Sequence, residues 1–267
     1  MPEGPEVKRI GLSLAKRLTA KKIKNIEIMS GRYAKKEPSG IKEISNHFPL
    51  SIVGCGVHGK FIYFICNNEW SIWNTLGMTG YWSPEKQKHS RLKFVLNDGE
   101  IYFNDMRNFG TIKFVRGKFN LIQKLESLGV DMLSNPPTDE VFITKLRKKP
   151  NWSLAKVLMD QSIISGVGNY IKADALWLSK LSPKRKVSDC TSSQLAFLNT
   201  NIQSVMRSSY ESGGATIQSY KNFNGDIGGY TEKMLVYGRK TDLHGNEVIK
   251  EQTDDGRTTH WVPSIQK

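Results

Sequence analysis

Apolar residues near the start of the chain follow a helical period. Four of them recur at spacings of three and four, with basic residues between them: Val7, Ile10, Leu14 and Leu18. This spacing places the apolar side chains on one face and predicts an amphipathic helix. From residue 23 to about 115 the pattern changes to short β-branched and aromatic runs, including a hairpin over 91–104 with Asp98-Gly99 at its turn. The N-terminal part is therefore predicted to be a β-sandwich with one flanking helix.

A helical pattern returns after Pro136 and Pro137. Consecutive prolines continue neither a helix nor a central strand, so a linker is predicted there. Helices are predicted over 139–149, 153–160, 170–179 and about 192–211. From residue 234 onward the β pattern resumes, with turn signals at 244–246 and 254–256. The predicted fold class is α+β, with an N-terminal domain over 1–134 and a C-terminal domain over 138–267.

The charge of the chain indicates its partner. Thirty-nine Lys and Arg stand against 25 Asp and Glu, which gives a net charge of +14 and a pI of about 9.6. A surface with this charge attracts a polyanion. The hydrophobic content of 38% excludes a disordered basic tail, because such tails lack the apolar area that folding requires.

Cysteines and hydropathy indicate the compartment. The three cysteines form no CxxC pair, which disfavours a disulfide framework and favours a reducing interior: Cys55, Cys66 and Cys190. No run approaches 18 apolar residues, and Glu3 and Glu6 lie where a signal peptide would carry positive charge. We therefore expect an intracellular protein that is neither exported nor membrane-spanning.

The first residues offer a nucleophile. Removal of Met1 would leave Pro2 as a secondary amine. A terminal amine has a pKa of about 8, so it is partly unprotonated at neutral pH and can attack a carbonyl carbon. Glu3 follows directly, and Glu6 lies near the helix start, where the dipole favours a carboxylate. The same residues are also typical of an ordinary helix start, so the pattern alone leaves both interpretations open.

Residues 166–169 form a Gly-Val-Gly-Asn loop between two predicted helices. Glycine allows backbone N–H groups to approach a phosphate closely, and Asn169 can cap the following helix, whose N-terminus attracts the same anion. No Gly-Lys-Ser or Gly-Lys-Thr follows, which excludes a Walker loop. Both an element that binds the DNA backbone and a plain helical hairpin fit this pattern.

Several residues outside the helices are candidates for contact with a nucleic acid. Three have the shapes needed to fill a gap in a base stack, although Met and Phe are also common core residues: Met78, Arg107 and Phe109. Lys60 follows Gly59, and glycine beside it would permit approach to a phosphate. A lysine at the start of a strand is also commonly just solvated.

Taken together, these segments resemble the formamidopyrimidine-DNA glycosylase/endonuclease VIII family. In chain order the resemblance lies in residues 1–7, 58–60, 78, 105–110, 158–161 with 166–169, and 236–240. The set covers nearly the whole chain and is highly specific, and it favours the nucleophile interpretation of Pro2. The fold implied by the resemblance is a β-sandwich followed by a helix-two-turn-helix domain.

The resemblance also implies a reaction. The implied activity is that of a bifunctional DNA glycosylase and abasic-site lyase of base excision repair, without a cofactor. Pro2 would attack C1′ of the damaged nucleotide, expel the base and form an iminium with the opened sugar, after which β,δ-elimination cuts the strand. Glu3 would move protons at the sugar, and Glu6 would support the same site.

Further residues acquire DNA-binding roles from the resemblance. Lys60 would bind a phosphate beside the lesion. The other implied phosphate contacts are Gly166, Gly168, Asn169 and Lys156. The residues implied to occupy the void left by the flipped base are Met78, Arg107 and Phe109.

The C-terminus departs from the family pattern. Many members carry a four-cysteine zinc finger there, but no cysteine follows Cys190, and 242–267 offers only His244 and His260 as nitrogen ligands. A tetrahedral zinc site is therefore not expected. Residues 256–259 resemble the turn of that finger, in which Arg257 would reach phosphates. This implies a zincless β-hairpin finger over about 234–267, as in the endonuclease VIII-like 1 branch; the alternative is a plain hairpin with an exposed arginine.

Local details bear on the lesion. Gly4 and 169–174 resemble the endonuclease VIII side of the family, although Asp174 stands where glutamate is usual. Oxidised pyrimidines are therefore the favoured substrates. Ring-opened or oxidised purines are the alternative, because the loop between about 213 and 230 decides base choice. Asn108 stands where a second basic residue is common and is expected to alter the reading of the opposite base.

Two other classes stay open beside the enzyme: a non-catalytic damage-sensing or architectural DNA-binding protein, and a helix-turn-helix transcription regulator. The joint presence of Pro2, Glu3 and Lys60 favours the enzyme. We expect a monomer whose partner is damaged DNA, without membrane or metal. Its compartment should contain DNA, such as a nucleus, a cytoplasm or a viral replication site.

Overall fold

The structure, a computed structural model, describes residues 2–215 and 228–267. Contacts within the chain divide it into two compact units. The first is built mainly from Glu6–Ser127, and the second from Glu3–Pro5, Leu128–Gly214 and Gly229–Lys267. The domain limits 1–134 and 138–267 stay a prediction. Within the described ranges, no helix has the length and apolarity that crossing a membrane requires.

Eight antiparallel strands form the sheet of the first unit. They are β1 (Lys22–Ile28), β2 (Leu50–His58), β3 (Phe61–Cys66), β4 (Trp70–Thr75), β5 (Gly80–Ser83), β6 (Ser90–Leu96), β7 (Gly99–Asp105) and β8 (Thr111–Arg116). Their order across the sheet is β5-β7-β6-β1-β2-β3-β4-β8. The helices of this part are α1 (Gly4–Leu18), α2 (Arg32–Lys35), α3 (Ile41–Ser45) and α4 (Lys118–Glu126).

One hydrophobic core lies between the two halves of this sheet. The ring of Trp82 on β5 packs against that of Phe64 on β3, with 5.7 Å between centroids, although these strands lie far apart in the sheet order. The sheet therefore folds over into two layers with the core between them. The four periodic apolar residues of α1 are each at most 3% exposed, so the predicted apolar face packs into this core.

The second unit is mainly helical. Its helices are α5 (Asp139–Arg147), α6 (Leu154–Met159), α7 (Asn169–Leu178), a 3-10 turn (Val187–Asp189), α8 (Ser192–Glu211) and α9 (Tyr230–Lys233). The two-residue strands β9 (Val130–Asp131) and β10 (Ile164–Ser165) pair in parallel, and the 166–169 loop connects β10 to α7. Residues 170–177 of α7 are all buried, so this helix is a rigid support for the loops around it.

A C-terminal hairpin completes the second unit. Strands β11 (Ile249–Gln252) and β12 (Thr258–Trp261) pair antiparallel. The preceding stretch, 234–248, consists of turns and irregular backbone with one isolated bridge between Thr241 and Glu247, instead of the predicted strands. Asp174 on α7 explains the difference, because its buried carboxylate accepts hydrogen bonds from three consecutive backbone N–H groups: Leu235, Val236 and Tyr237. A side chain thus satisfies donors that a neighbouring strand would otherwise bind.

The predicted α+β class is confirmed, with its N-terminal β-sandwich, helix-two-turn-helix domain and C-terminal hairpin. The short helices α2, α3 and α4 were not predicted. Helices α2 and α3 have four and five residues, too few for a helical period to emerge from the pattern.

Candidate functional site

Glu3 lies at the N-terminus of α7 and is 3% exposed. Its Oε1 accepts a hydrogen bond from the N–H of Tyr170 at 3.0 Å, and its Oε2 accepts one from Ile171 at 3.4 Å. These N–H groups have no partner within the helix, and the helix dipole favours a negative charge at this end. The contact fixes the residue that directly follows Pro2, which is itself buried.

The capping role predicted for Asn169 is wrong. Gly168 is the N-cap residue of α7 and makes no side-chain cap, while Asn169 is already the first helical residue. The carboxylate of Glu3 satisfies the N–H groups that a capping side chain would bind. The sequence did not show this, because Glu3 and α7 are separated by more than 160 residues.

The glycines of the loop allow this close approach. Gly166 adopts a φ of 95° and its carbonyl accepts the N–H of Gly4 at 2.8 Å. A Cβ on Gly168 would lie only 2.1–2.5 Å from the carboxyl atoms of Glu3. Gly168 therefore makes room for Glu3, a role that is separate from the predicted phosphate contact.

The turn of the C-terminal hairpin lies against the first turn of α7. The side-chain amide of Asn169 donates to the carbonyl of Thr258 at 2.8 Å. A second hydrogen bond joins the Asn169 side chain to the hydroxyl of Tyr237. Arg257 precedes Thr258 in the turn between β11 and β12, and it is exposed. The structure thus brings the loop, Glu3 and the Arg257 turn together.

An ion pair lies beneath this turn. The Nζ of Lys172 is 2.5 Å from Oδ2 of Asp255, and the two side chains are 0% and 3% exposed. Burial lowers the pKa of Lys172, and the hydrogen bond to Asp255 opposes that shift. Burial alone would raise the pKa of Asp255, but hydrogen bonds from Lys172 and Thr253 hold it below its usual value. Lys172 was not a predicted site residue.

Lys156 lies on α6 and is half-buried. Its ammonium group is 4.6 Å from the ring centroid of Trp152, and that of Lys149 is 4.9 Å from the same centroid. These cation–π contacts hold two positive charges on one aromatic side chain. The predicted role of Lys156 in DNA binding stays a prediction.

Two candidates of the first unit, Lys60 and Glu6, differ in exposure. Lys60 is half-buried in the turn between β2 and β3, after Gly59 at a φ of 57°. Glu6 is 1% exposed in the first turn of α1, and its Oε1 accepts the N–H of Ala215 at 2.7 Å. The predicted base-pocket loop over 213–230 lies mostly outside the described residues. Ala215 is the last described residue before 228, and Glu6 fixes its backbone N–H.

Two of the predicted void-filling residues are in contact. Nη1 of Arg107 is 3.4 Å from Sδ of Met78, which follows β4. Phe109 is 57% exposed, two residues further along the loop between β7 and β8. An exposed large aromatic ring costs free energy in water and is available for stacking. The exposure of Phe109 favours the void-filling interpretation over a core role.

Asp105 organises the loop that carries Arg107 and Phe109. This residue is 1% exposed, and its Oδ2 accepts the N–H of Gly110 at 2.6 Å. Its Oδ1 accepts the N–H of Arg107 at 3.2 Å and the hydroxyl of Thr79 at 2.5 Å. The carboxylate therefore links the loop that carries Arg107 to the turn that carries Met78.

The Asp105→Ala variant should be less stable than the wild type by about 2–4 kcal/mol, because it leaves several buried donors unpaired. Urea unfolding measures this difference. Asp98→Ala is the matched control, since its carboxylate is about half-exposed and pairs with Lys21 at the surface. Equal unfolding midpoints for the two variants would contradict the role of Asp105.

Sequence reasoning also missed Arg32. Its Nη1 donates to the carbonyl of Asn108 at 3.0 Å, and its guanidinium lies 5.1 Å from the ring centroid of Tyr33. Asn108 itself adopts a left-handed φ of 57°. The guanidinium of Arg32, from α2, thus lies at Asn108, the position where the family commonly has a second basic side chain. The signal was hidden because 76 residues separate the two positions.

His, Cys, Asp and Glu are the side chains that commonly hold a metal ion in proteins. Over residues 2–215 and 228–267, no group of three or more His, Cys, Asp and Glu side chains is placed to hold a metal ion. His244 stacks on Trp177, with 5.9 Å between ring centroids, and His260 packs against Tyr237 at 4.7 Å. The two histidines that could have served as nitrogen ligands therefore both pack against aromatic rings.

Comparison with known proteins places the chain in a family. Residues 1–112 match the sequence model of the formamidopyrimidine-DNA glycosylase N-terminal domain, and residues 128–221 match that of the H2TH domain. The formamidopyrimidine-DNA glycosylase of Rickettsia felis is 31% identical over 278 residues, which cover 100% of this chain and 98% of that protein.

Two solved structures of the Lactococcus lactis Fpg protein have the same fold. One is a point mutant with DNA that contains Fapy-dG, and the other is the wild type with DNA that contains an oxidised pyrimidine. They match with TM-scores of 0.88 and 0.86 at 25% identity, and each match covers 100% of both chains. The chain therefore belongs to the formamidopyrimidine-DNA glycosylase family, and it is a DNA glycosylase of base excision repair with abasic-site lyase activity.

Proposed function

We propose that this enzyme removes oxidised bases, with pyrimidines favoured, through a covalent iminium between Pro2 and the opened sugar. The observation that carries the proposal is the buried carboxylate of Glu3 on the N–H groups of Tyr170 and Ile171. It holds a proton-transfer group directly beside a terminal secondary amine, which is the pairing that attack on C1′ requires.

The steps follow from these two groups. The unprotonated Pro2 nitrogen forms a bond to C1′, and the bond from C1′ to the base breaks. Opening of the sugar then gives an iminium between Pro2 and C1′, with Glu3 moving the proton at the ring oxygen. The iminium acidifies the C–H bond at C2′, so elimination of the 3′ and then the 5′ phosphate cuts the strand on both sides.

The remaining candidates take roles around this centre. We assign phosphate contacts to Lys60, Lys156, Arg257 and the 166–169 loop, and occupation of the void to Met78, Arg107 and Phe109. The exposure of Arg257 and Phe109 supports these roles. Glu6 supports the site by fixing Ala215 at one end of the expected base-pocket loop.

Two classes of lesion are candidate substrates. The resemblance of Gly4 and of 169–174 to the endonuclease VIII side favours oxidised pyrimidines. The names of the curated relatives favour ring-opened purines instead. The Lactococcus lactis protein is bound in its two structures to one lesion of each class. Excision rates on two otherwise identical duplexes, one with each lesion, decide between them.

Borohydride trapping tests the nucleophile. Borohydride reduces an iminium to a stable amine, so a duplex with an oxidised pyrimidine should yield a covalent adduct with protein that lacks Met1. Pro2→Gly should weaken trapping, and an N-terminal extension should abolish it, because the extension converts the amine into an amide. Absence of an adduct from material shown by mass to begin at Pro2 would refute the proposal.

The trapping experiment also separates the enzyme from a non-catalytic damage sensor. A sensor would bind the lesion duplex without an adduct and without strand cleavage. A transcription regulator would instead prefer one undamaged sequence over lesion DNA. Binding that follows the lesion, together with cleavage and trapping, supports only the enzyme.

We also propose that the C-terminal hairpin is a zincless finger, as in the endonuclease VIII-like 1 branch. Its apolar contacts support this: Val236, Val248 and Val262 are buried against Ala173 and Trp177 of α7. Elemental analysis of the pure protein should find far less than one zinc per chain, and a chelator should leave DNA binding unchanged. Stoichiometric zinc would contradict the proposal.

A further inference from the structure

Lys172 is a buried cation whose position the catalytic steps do not explain. Its side chain is 0% exposed, on a helix whose residues 170–177 are all buried. Burying a charge is costly unless it is paired and hydrogen-bonded, and an apolar residue at such a position is often equally or more stable. The stability of the fold therefore does not explain why Lys172 and Asp255 form a buried pair.

Asp255 connects this cation to the turn that carries Arg257. Its Oδ2 binds Lys172, while its Oδ1 accepts the hydroxyl of Thr253 at 2.6 Å and the backbone N–H of Arg257 at 3.2 Å. Thr253 and Arg257 are also joined directly, because the N–H of Thr253 donates to the carbonyl of Arg257 at 3.0 Å. Asp255 thus fixes the backbone of Arg257 and leaves its side chain exposed.

The same helical turn holds the hairpin on the other side of Arg257. Asn169 lies three residues before Lys172, so the two side chains share one face of α7. Asn169 donates to the carbonyl of Thr258 at 2.8 Å, and Lys172 binds Asp255 at 2.5 Å. Two side chains of α7 therefore bind the backbone or side chain of residues that flank Arg257.

We infer that Lys172 is a positioning residue, which holds the Asp255 turn so that Arg257 presents its guanidinium to a DNA phosphate. This inference rests on the proposed phosphate contact of Arg257. The gain is pre-organisation, because a guanidinium on a fixed turn loses less conformational entropy on binding than one on a mobile turn.

Lys172→Met tests the inference, since methionine keeps much of the side-chain length and removes the charge. Hydrogen exchange of the free protein should become faster over 253–259, while that of β1–β8 stays unchanged. Affinity for a duplex with a tetrahydrofuran abasic analogue should fall about tenfold, the size of one charge-assisted contact. Asp255→Asn should change both measurements in the same direction and covers the case in which Lys172→Met fails to fold.

A surface ion pair between the hairpin and Lys184, which lies between α7 and the 3-10 turn, provides the matched control. Lys184 and Glu251 of β11 are 2.6 Å apart, with side chains 55% and 34% exposed. Lys184→Met removes the same charge from the chain, so it corrects for the loss of long-range attraction to DNA. It should leave hydrogen exchange over 253–259 unchanged.

A double-variant cycle separates positioning from direct DNA contact. If Lys172 acts through Arg257, Lys172→Met should cost little further affinity in an Arg257→Ala background. Additive losses would overturn the inference, as would wild-type hydrogen exchange over 253–259 in both Lys172→Met and Asp255→Asn. Hydrogen exchange of the free protein needs no activity, so its outcome is independent of the borohydride test of Pro2.

Discussion

Glu3→Gln should lower the rate of base excision by about 10²- to 10⁴-fold, the usual contribution of a general acid or base. Glutamine keeps the size of the side chain but cannot carry the proton. It also places an NH₂ group where both carboxylate oxygens now accept N–H donors of Tyr170 and Ile171. The chemical step is measured in single-turnover experiments that monitor how fast the oxidised pyrimidine base is released.

A preformed abasic site provides an internal comparison for Glu3→Gln. Its sugar is already in equilibrium with the open aldehyde, so Pro2 can form the iminium without base loss. We therefore expect the variant to lose less cleavage at an abasic site than at the damaged base. Glu43→Gln is the matched control, because that side chain is exposed on α3. Equal losses on both substrates would indicate that the change merely disrupts the fold.

The sequence predicted those parts of the fold that depend on local pattern. The spacing of Val7, Ile10, Leu14 and Leu18 gave α1 and its buried face. Asp98-Gly99 gave the turn between β6 and β7. Helix α8 covers the range 192–211 that the helical pattern predicted, and Gly213 and Gly214, each with a φ of 88°, follow its end. In each case the determining residues lie within one element or one turn.

Local sequence patterns could not predict contacts between segments that are distant in the chain. Glu3 meets α7, Lys172 meets Asp255, and Arg32 meets Asn108, and each pair is separated by more than 70 residues. No local period reports such a contact. Lys172 in particular could not be singled out, because a lysine in a helical pattern gives no sign that it is buried.

The same limit, that distant contacts leave no local signal, applies to the Gly-Val-Gly-Asn motif. The Gly-Val-Gly-Asn pattern predicted a tight loop before a helix, and the structure has that loop. The pattern could not show which contact each of its residues makes. In the structure Gly168 gives space to Glu3, Asn169 binds Thr258, and Gly166 accepts the N–H of Gly4. Each of these depends on a segment far away in the chain.

Gly168→Ala should lower the rate of base excision by about 10²-fold, the size of effect that a displacement of about 1 Å can have at an active site. The added Cβ would lie 2.1 Å from Cδ of Glu3, far inside van der Waals contact. The φ of Gly168 is −132°, a region that alanine adopts without strain. The effect should therefore come from displacement of the carboxylate alone, and single-turnover excision measures it.

Gly54→Ala separates this contact from a general effect of replacing glycine. Gly54 lies on β2, and a Cβ there would meet no atom within 4 Å, so the variant should keep wild-type excision and stability. If Gly168 instead serves only a phosphate, Gly168→Ala should weaken binding to undamaged and abasic duplexes alike and leave single-turnover excision at saturating enzyme unchanged. Slower excision at saturation therefore supports the contact with Glu3, because only a group that takes part in the chemical step limits the rate of the bound complex.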